Sequence, residues 1–167
     1  MSEQQTTLVE EEQFEDTMHG KYLVFHLDSQ QFAIAIVNVI DIINLQPITR
    51  VPNCPDYISG ITNLRGKVIP IIDLRIRFGK KPREADENNR VCIIVLEHSG
   101  MQVGIVVDSV SEFAALDDSS ISPPPPFHTS SESKFIEGVA RVNDSIYLLL
   151  NCVEVLGPEY LPLISED

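Results

Sequence analysis

The sequence has no tryptophan, only three cysteines, and 12 basic side chains against 25 acidic ones among its 167 residues, and each shortage excludes something. Cys54, Cys92 and Cys152 are an odd number at wide spacing, with no C-x-x-C pair to grip zinc or carry out thiol exchange. Buried, reduced, inert thiols are the expectation. A net charge of -13 argues against general nucleic-acid binding, which needs clustered Lys and Arg to neutralise phosphates. The longest apolar runs, at 32–37 and 91–96, fall far short of the roughly 20 residues a membrane-spanning helix requires. The opening MSEQQTTLVEEEQFEDTM has neither the basic head nor the apolar stretch of a secretion signal, so a soluble, cytoplasmic chain is expected, with no direct membrane insertion. A chain of about 150 residues buries roughly 70% of its unfolded surface, which is enough to fold without disulfides or a structural metal.

Charge is nonetheless uneven. The first 18 residues carry six acidic groups and no Lys or Arg, and residues 1–20 read as a disordered, solubilising leader. Residues 65–90 hold eight Lys and Arg against four Asp and Glu. That basic island is either a solvated patch or a docking surface for an acidic partner.

Strand signals dominate the rest. YLVFHL at 22–27 and FAIAIV at 32–37 predict a hairpin across a four-residue loop at 28–31, and the β-branched bias continues over 39–45. Two prolines within 51–57 make that stretch a loop or a single helical turn. A second hairpin, 60–64 with 67–72, turns at Arg65 and Gly66; Asp73 then N-caps a short segment ending near Gly79, and 80–90 is a linker. The plan then repeats: 91–96 matches 22–27 at an offset of 69, 103–113 matches 32–42 at 71, and 138–151 matches 60–73 at 78. The offset grows only within the loops at 97–102 and 123–133. Each half offers about five short strands, too few for a sandwich but enough for a small barrel. Because 32–37 and 91–96 are apolar nearly throughout, where a sheet wetted on one face would alternate, both faces are expected to be covered. Two small barrels, 21–88 and 89–157, packed on a shared apolar layer and followed by a tail at 158–167, is the architecture this predicts. Whether strands exchange between the barrels is left open.

No chemistry-bearing constellation emerges. Gly60-x5-Gly66-Lys67-Val68 has one spacer residue too many for a phosphate-binding loop, lacks Ser or Thr after the Lys, and leads into VIPII, which cannot open a helix. His19, His26, His98 and His128 lack metal-ligand spacing, and His26 reads as a packed or edge histidine. Asp117 and Asp118 cap a turn, Asn143-Asp-Ser145 is a turn, and no nucleophile elbow occurs. No catalytic residue, metal or cofactor is assigned. The unusual feature is the Arg65–Gly66 apex. Its repeat mate is Asn143–Asp144, ordinary turn chemistry, whereas Gly66 suits positive φ and leaves Arg65 as a guanidinium at the tip. Pro70, with no N–H to give a ladder, places the following strand at an edge. Arg65 is then either simply solvated or part of a partner surface on that edge.

The stretch GITNLRGKVIPIIDLRIRFG at 60–79 resembles the signature of the CheW family of bacterial chemotaxis coupling proteins. VGIVVDSVSE at 103–112 is similar to the family's second block, and FIEGV at 135–139 with IYLLL at 146–150 to its third, so the resemblance runs from about Lys21 to Leu156. It implies an all-β fold of two packed SH3-like five-stranded β-barrels, with short helical turns and a short C-terminal helix. It implies a non-enzymatic adaptor that joins the cytoplasmic hairpin of methyl-accepting chemoreceptors to the regulatory domain of the chemotaxis histidine kinase in membrane receptor arrays. Carried over position by position, the receptor surface comprises Val39, Asp41, Leu64, Arg65 and Gly66, with Arg65 pairing to the receptor and Val39 giving apolar contact. Kinase contacts fall near Tyr57, Ile58 and Gly60. Asn151 departs from the family's usual Asp, and the prolines at 123–126 and the acidic leader also differ. The alternatives are an adaptor of a parallel system controlling surface motility or gene expression, or a small barrel binding single-stranded nucleic acid. The last would want aromatic platforms beside the charge, yet Phe78 is the one aromatic within 65–90.

Overall fold

The computed structural model describes residues 19–83, 90–124 and 133–156. Residues 1–18 of the leader, the prolines from 125 onward, His128 and the tail lie outside them. In chain order the elements are β1 (Lys21–Leu27), β2 (Gln30–Ala35), β3 (Val39–Asn44), β4 (Ile58–Leu64), β5 (Lys67–Asp73), α1 (Leu74–Arg77), β6 (Cys92–His98), β7 (Met101–Val107), β8 (Ser109–Ala115), β9 (Ile121–Ser122), β10 (Ile136–Val142), β11 (Ser145–Leu150) and α2 (Cys152–Leu156). The β1–β2 loop is shorter than predicted. Gln30 and Gln31 pair with Leu27 and His26, and Asp28 at φ 56 accepts the left-handed turn that two-residue hairpins need.

The strands form two sheets, one ordered β8-β1-β2-β11-β10-β9 and the other β3-β6-β7-β5-β4. Each sheet takes strands from both sides of residue 88. Hairpin β1–β2 joins the later strands of the second half, and hairpin β6–β7 joins β3, β4 and β5. The all-β fold of two packed units with few short helices is as expected; the outermost strands of neither sheet pair with each other, and the short β9 gives one sheet a sixth strand. The reason is an incoming segment that covers the last strand. Thr49 bridges Ile61 on β4, and β9 pairs with Val139 and Ala140 on β10, so connectors blunt those edges.

Burial explains why so many strands are apolar on both faces. Leu23, Phe25, Leu27, Phe32 and Ile34 from one sheet meet Ile94, Leu96, Val103, Ile105 and Val107 from the other in a central layer, all 0% exposed. The intervening residues turn the opposite way into two smaller cores: Val24 and Ala33 pack with Tyr147 and Leu149, while Ile93 and Val95 pack with Ile69 and Ile71. The shared layer is continuous through a chain of ring contacts, with centroids 5.6 Å apart for the stacked Phe25–Phe32 pair, 5.5 Å for the tilted Phe32–Phe78 pair and 5.2 Å for the stacked Phe78–Phe135 pair. Each such pair adds about 0.5–1.5 kcal/mol beyond area burial.

The repeat is structural as well as sequential. Ile71 lies opposite Gly104 where β5 runs parallel to β7, and their mates Leu149 and Ala33 lie opposite each other where β11 runs parallel to β2. Asp73 Oδ1 caps α1 by accepting the Arg75 N–H at 3.0 Å, and Asn151 Oδ1 accepts the Val153 N–H at 3.0 Å. Asn151 thus does the capping work of an Asp.

Pro70 is not at an edge, since β5 lies between β4 and β7. Its partner Ile61 directs both backbone groups outward to Thr49, so the Pro70 nitrogen faces the β7 side, where the parallel ladder begins only at Ile71. No ladder bond is lost there.

Candidate functional site

Leu64 and Lys67 are paired, so Arg65 and Gly66 form a two-residue turn with φ of 53° and 83°. Two consecutive left-handed residues match the twist of the flanking strands. Glycine takes this conformation freely; arginine does so at a cost. Asn63 Oδ1 fastens the turn by accepting the Gly66 N–H at 3.0 Å.

The Arg65 side chain is 79% exposed, and its Nη2 stands 2.9 Å from Asp41 Oδ2 on β3. Asp41 Oδ1 accepts the Ile42 N–H at 2.9 Å, which orients the carboxylate. β3 and β4 are the two outer strands of the five-stranded sheet, so this ion pair spans the seam that no ladder closes. The sequence placed Arg65 at a free tip; the folded chain already gives it an internal anion. Of the other expected receptor residues, Val39 lies half-buried opposite Leu96 against the central layer, and Leu64 is half-buried against the core of the five-stranded sheet.

The sequence reading missed the apolar side chains left uncovered around this pair. β3 alternates, turning Ile43 inward and leaving Ile40 and Ile42 exposed; Leu45 and Val68 are also exposed. Val68 lines a groove of about 410 Å³ with Gln46, Pro47, Thr49, Ile61, Thr62 and Asn63. The available signal was that VIDII places isoleucines on both faces of an edge strand.

Tyr57, Ile58 and Gly60 hold a different place. Ile58 is 5% exposed, and Gly60 is buried at φ 147°, where an added Cβ would stand 2.1 Å from the Thr49 carbonyl oxygen. Neither offers a side chain to a partner. Tyr57 is half-buried, with the Arg77 guanidinium 4.0 Å over its ring.

Much of the basic island is internal. Asp108, at the crossing from β7 to β8, accepts from Arg75 Nε at 3.0 Å and Nη2 at 2.6 Å, and from Arg83 Nε at 3.0 Å and Nη2 at 2.6 Å. The Asp28 N–H adds a fifth bond at 2.8 Å, and Asp28 itself pairs with Arg75 at 2.8 Å and with Lys80 at 3.8 Å. Burial alone would raise the Asp108 carboxyl, but hydrogen bonds from Arg75, Asp28 and Arg83, together with the Arg83 charge, hold it well below the usual carboxylate range. Arg75, Lys80 and Arg83 are therefore committed within the fold, as is Arg77, whose Nη2 donates to the Glu154 carbonyl at 3.3 Å. Lys80 and Arg83 also pin the start of what read as a free linker.

The decoys resolve as structure. His26 is half-buried in β1, flanked by β2 and β8, so it is packed and not at an edge. Asp117 precedes the 3-10 turn Asp118–Ser120 without capping it, contrary to expectation. Cys152 is buried, which, together with the Glu137 charge, pushes its thiol up to about 11. Among the described residues, no group of three or more His, Cys, Asp or Glu is placed to hold a metal, and no helix is long and apolar enough to cross a membrane.

A family model described as the CheW-like domain matches residues 21–158. The chain is 34% identical over 150 residues to the chemotaxis protein CheW of Klebsiella aerogenes, covering 90% of this chain and 89% of that one. It is 36% identical over 128 residues to the probable chemotaxis protein CheW of Rhizobium etli, covering 77% and 81%. Among solved structures, it is similar to the scaffolding protein TtCheW from Thermoanaerobacter tengcongensis, with a TM-score of 0.75 at 36% identity over 81% of this chain and 91% of that chain. The matched span takes in both sheets, both halves of the repeat and the Arg65 hairpin, and the chain belongs to the CheW-like domain family.

Proposed function

We propose that this chemotaxis adaptor works without catalysis in the cytoplasm, joining the helical hairpin of transmembrane chemoreceptors to the regulatory domain of the chemotaxis histidine kinase. The observation that carries the receptor half of this reading is the Arg65–Asp41 pair. A guanidinium 79% exposed is held in place by a carboxylate only 23% exposed, beside uncovered Ile42 and Val68. A helix laid against such a surface meets apolar contact and an oriented set of N–H donors for a carboxylate or a free carbonyl. Val39, Leu64 and Gly66 support the two strands that carry the pair. The kinase contact is proposed at the end of the five-stranded sheet near Tyr57, where Ile58 and Gly60 set the backbone and Tyr57 supplies the reachable side chain.

Each contact can be weak. In an array, many receptors and kinases are held together, and effective concentration turns modest affinities into stable association. The signal passes as a shift between kinase states and leaves this chain chemically unchanged. The test is co-sedimentation with receptor-bearing membranes, comparing the native chain with Arg65→Asp. The variant is expected to fold normally and to lose most receptor recruitment; undiminished recruitment overturns the receptor assignment. Reconstitution of receptor hairpin and kinase, with and without the chain, tests the kinase half.

A further inference from the structure

A concavity of about 610 Å³ opens where the β1–β2 turn, α1, residues 79–83 and the crossing from β7 to β8 meet. Four cations, Arg75, Lys80, Lys81 and Arg83, line it against two carboxylates, Asp28 and Asp108. The carboxylates are matched by the two arginines. Asp108 is filled by its five donors, and Asp28 turns one oxygen to Arg75 at 2.8 Å and the other to Lys80 at 3.8 Å. Asp73 caps α1 and does not line the concavity. The two lysines therefore leave a surplus of two positive charges. Lys80 Nζ is held by Gln30 Oε1 at 3.2 Å. Among the described residues, Lys81 Nζ and Arg83 Nη1 meet no acceptor; Lys81 takes part in the cluster only through its backbone oxygen, which accepts from Arg75 Nη1 at 3.5 Å.

The repeat shows that this charge is an addition to the common plan. Val153 stands where Arg75 stands, each giving its N–H to the capping side chain two positions earlier at 3.0 Å, and the offset of 71 sets Val37 on Asp108. The same strands and short helix are built there with no ion at either position. Folding does not call for ions here, since apolar groups of the same shape serve a buried cluster as well as charges do.

We propose that this concavity binds a small phosphorylated anion, with Lys81 Nζ and Arg83 Nη1 as its donors over the fixed floor of Arg75 and Asp108. Its volume lies within the roughly 300–1,000 Å³ of small-molecule sites. A guanidinium edge matches phosphoryl oxygens, and an ammonium adds a point charge. Arg75 and Arg83 are only 15% and 17% exposed, so they are ordered before a ligand arrives and are less screened than surface charges. In a chain of net charge -13, general attraction of anions is absent, and binding must come from these local donors. The site shares no residue with the Arg65 turn and does not depend on the adaptor reading.

The experiment titrates the full chain with sodium phosphate and sodium pyrophosphate at fixed ionic strength, read by NMR of the arginine Nε–H groups and the backbone amides. Saturable shifts are expected at Arg83 Nε and at the amides of Lys80, Lys81 and Arg83, with the amides of Lys67 and Arg90 unmoved. No saturation by about 10 mM of either probe overturns the proposal. Equal movement at Lys67 and Arg90 means diffuse attraction to positive charge and overturns it too. Lys81→Gln leaves every side-chain contact of the cluster in place, and it is expected to weaken pyrophosphate binding by about tenfold at an unchanged melting temperature. Undiminished binding by this variant counts against the site. An Asp- and Glu-rich peptide that moves the same resonances at lower concentration than pyrophosphate identifies a protein-docking surface instead, which also overturns the small-anion site.

Discussion

Replacing Asp108 with Asn decides whether the basic island is a surface or a clamp. The amide keeps the shape of the carboxylate but removes its charge and turns one acceptor into a donor facing two guanidiniums. Asp108 receives five hydrogen bonds, four of them from Arg75 and Arg83. Arg75, Arg83 and Asp108 are 15%, 17% and 20% exposed. Removing one partner of an exposed pair costs about 0–1 kcal/mol, and of a fully buried one about 3–5 kcal/mol. The observed exposure places this change between them, at about 2–3 kcal/mol, or a melting shift of roughly 6–10 °C for a chain of this size. The native carboxyl is held below its unfolded range, so its contribution is complete above the unfolded pKa, about 3.9, and is lost as pH falls towards the native value. Urea denaturation of both proteins from pH 7 to pH 3 should show a constant gap down to about pH 5 and a narrowing gap below pH 4. A variant within about 0.5 kcal/mol of the native chain at pH 7, or a gap that widens on acidification, refutes the clamp.

Arg65→Asn should relieve about 1 kcal/mol of left-handed backbone strain while losing a mostly exposed ion pair of similar size, leaving stability within about 0.5 kcal/mol as receptor recruitment falls; paired melting and sedimentation measurements check both. Gly60→Ala should destabilise by at least about 2 kcal/mol, because its Cβ meets the Thr49 carbonyl at 2.1 Å, whereas Gly138→Ala, with 3.2 Å to the Ser122 oxygen, should cost clearly less in the same urea assay. Cys152, with its thiol pushed up to about 11, should resist alkylation at pH 8 until the chain unfolds, which mass spectrometry of labelled peptides reads directly.

The duplication was legible because insertions sit in loops, and the apolar runs announced covered faces because a strand wetted on one side must alternate. Two things were hidden. Strand exchange between the halves depends on which hairpin reaches which sheet, and both arrangements satisfy the same periodicity. The burial of Arg75 and Arg83 depends on Asp28 and Asp108, 47 and 25 residues away from them respectively, so charge counted along the chain could not show that the island was neutralised. Pro70 was misread for a related reason: the rule that excludes proline from inner strands assumes a ladder on both sides, and the parallel partner starts one residue later.

A duplicated backbone also separates what packing requires from what function adds. Arg65 and Asn143 occupy the same turn with φ of 53° and 54°, so the fold asks the same conformation of both. Asparagine meets it at little cost, whereas arginine adds about 1 kcal/mol, and no part of the turn itself repays that. The carboxylates at the matched strand positions diverge in step. Asp41 faces the Arg65 guanidinium, while its mate Glu112 receives the Tyr147 hydroxyl at 3.4 Å. Both strands expose an apolar neighbour, Ile42 at 38% and Phe113 at 66%, so an uncovered apolar strip belongs to the common plan. What only one half has is a strained cation, braced by an acid across the seam of its sheet. The ion pair does no more than offset the strain, so stability is served no better than by the asparagine of the other half, and the proposed recognition of a partner would account for the difference.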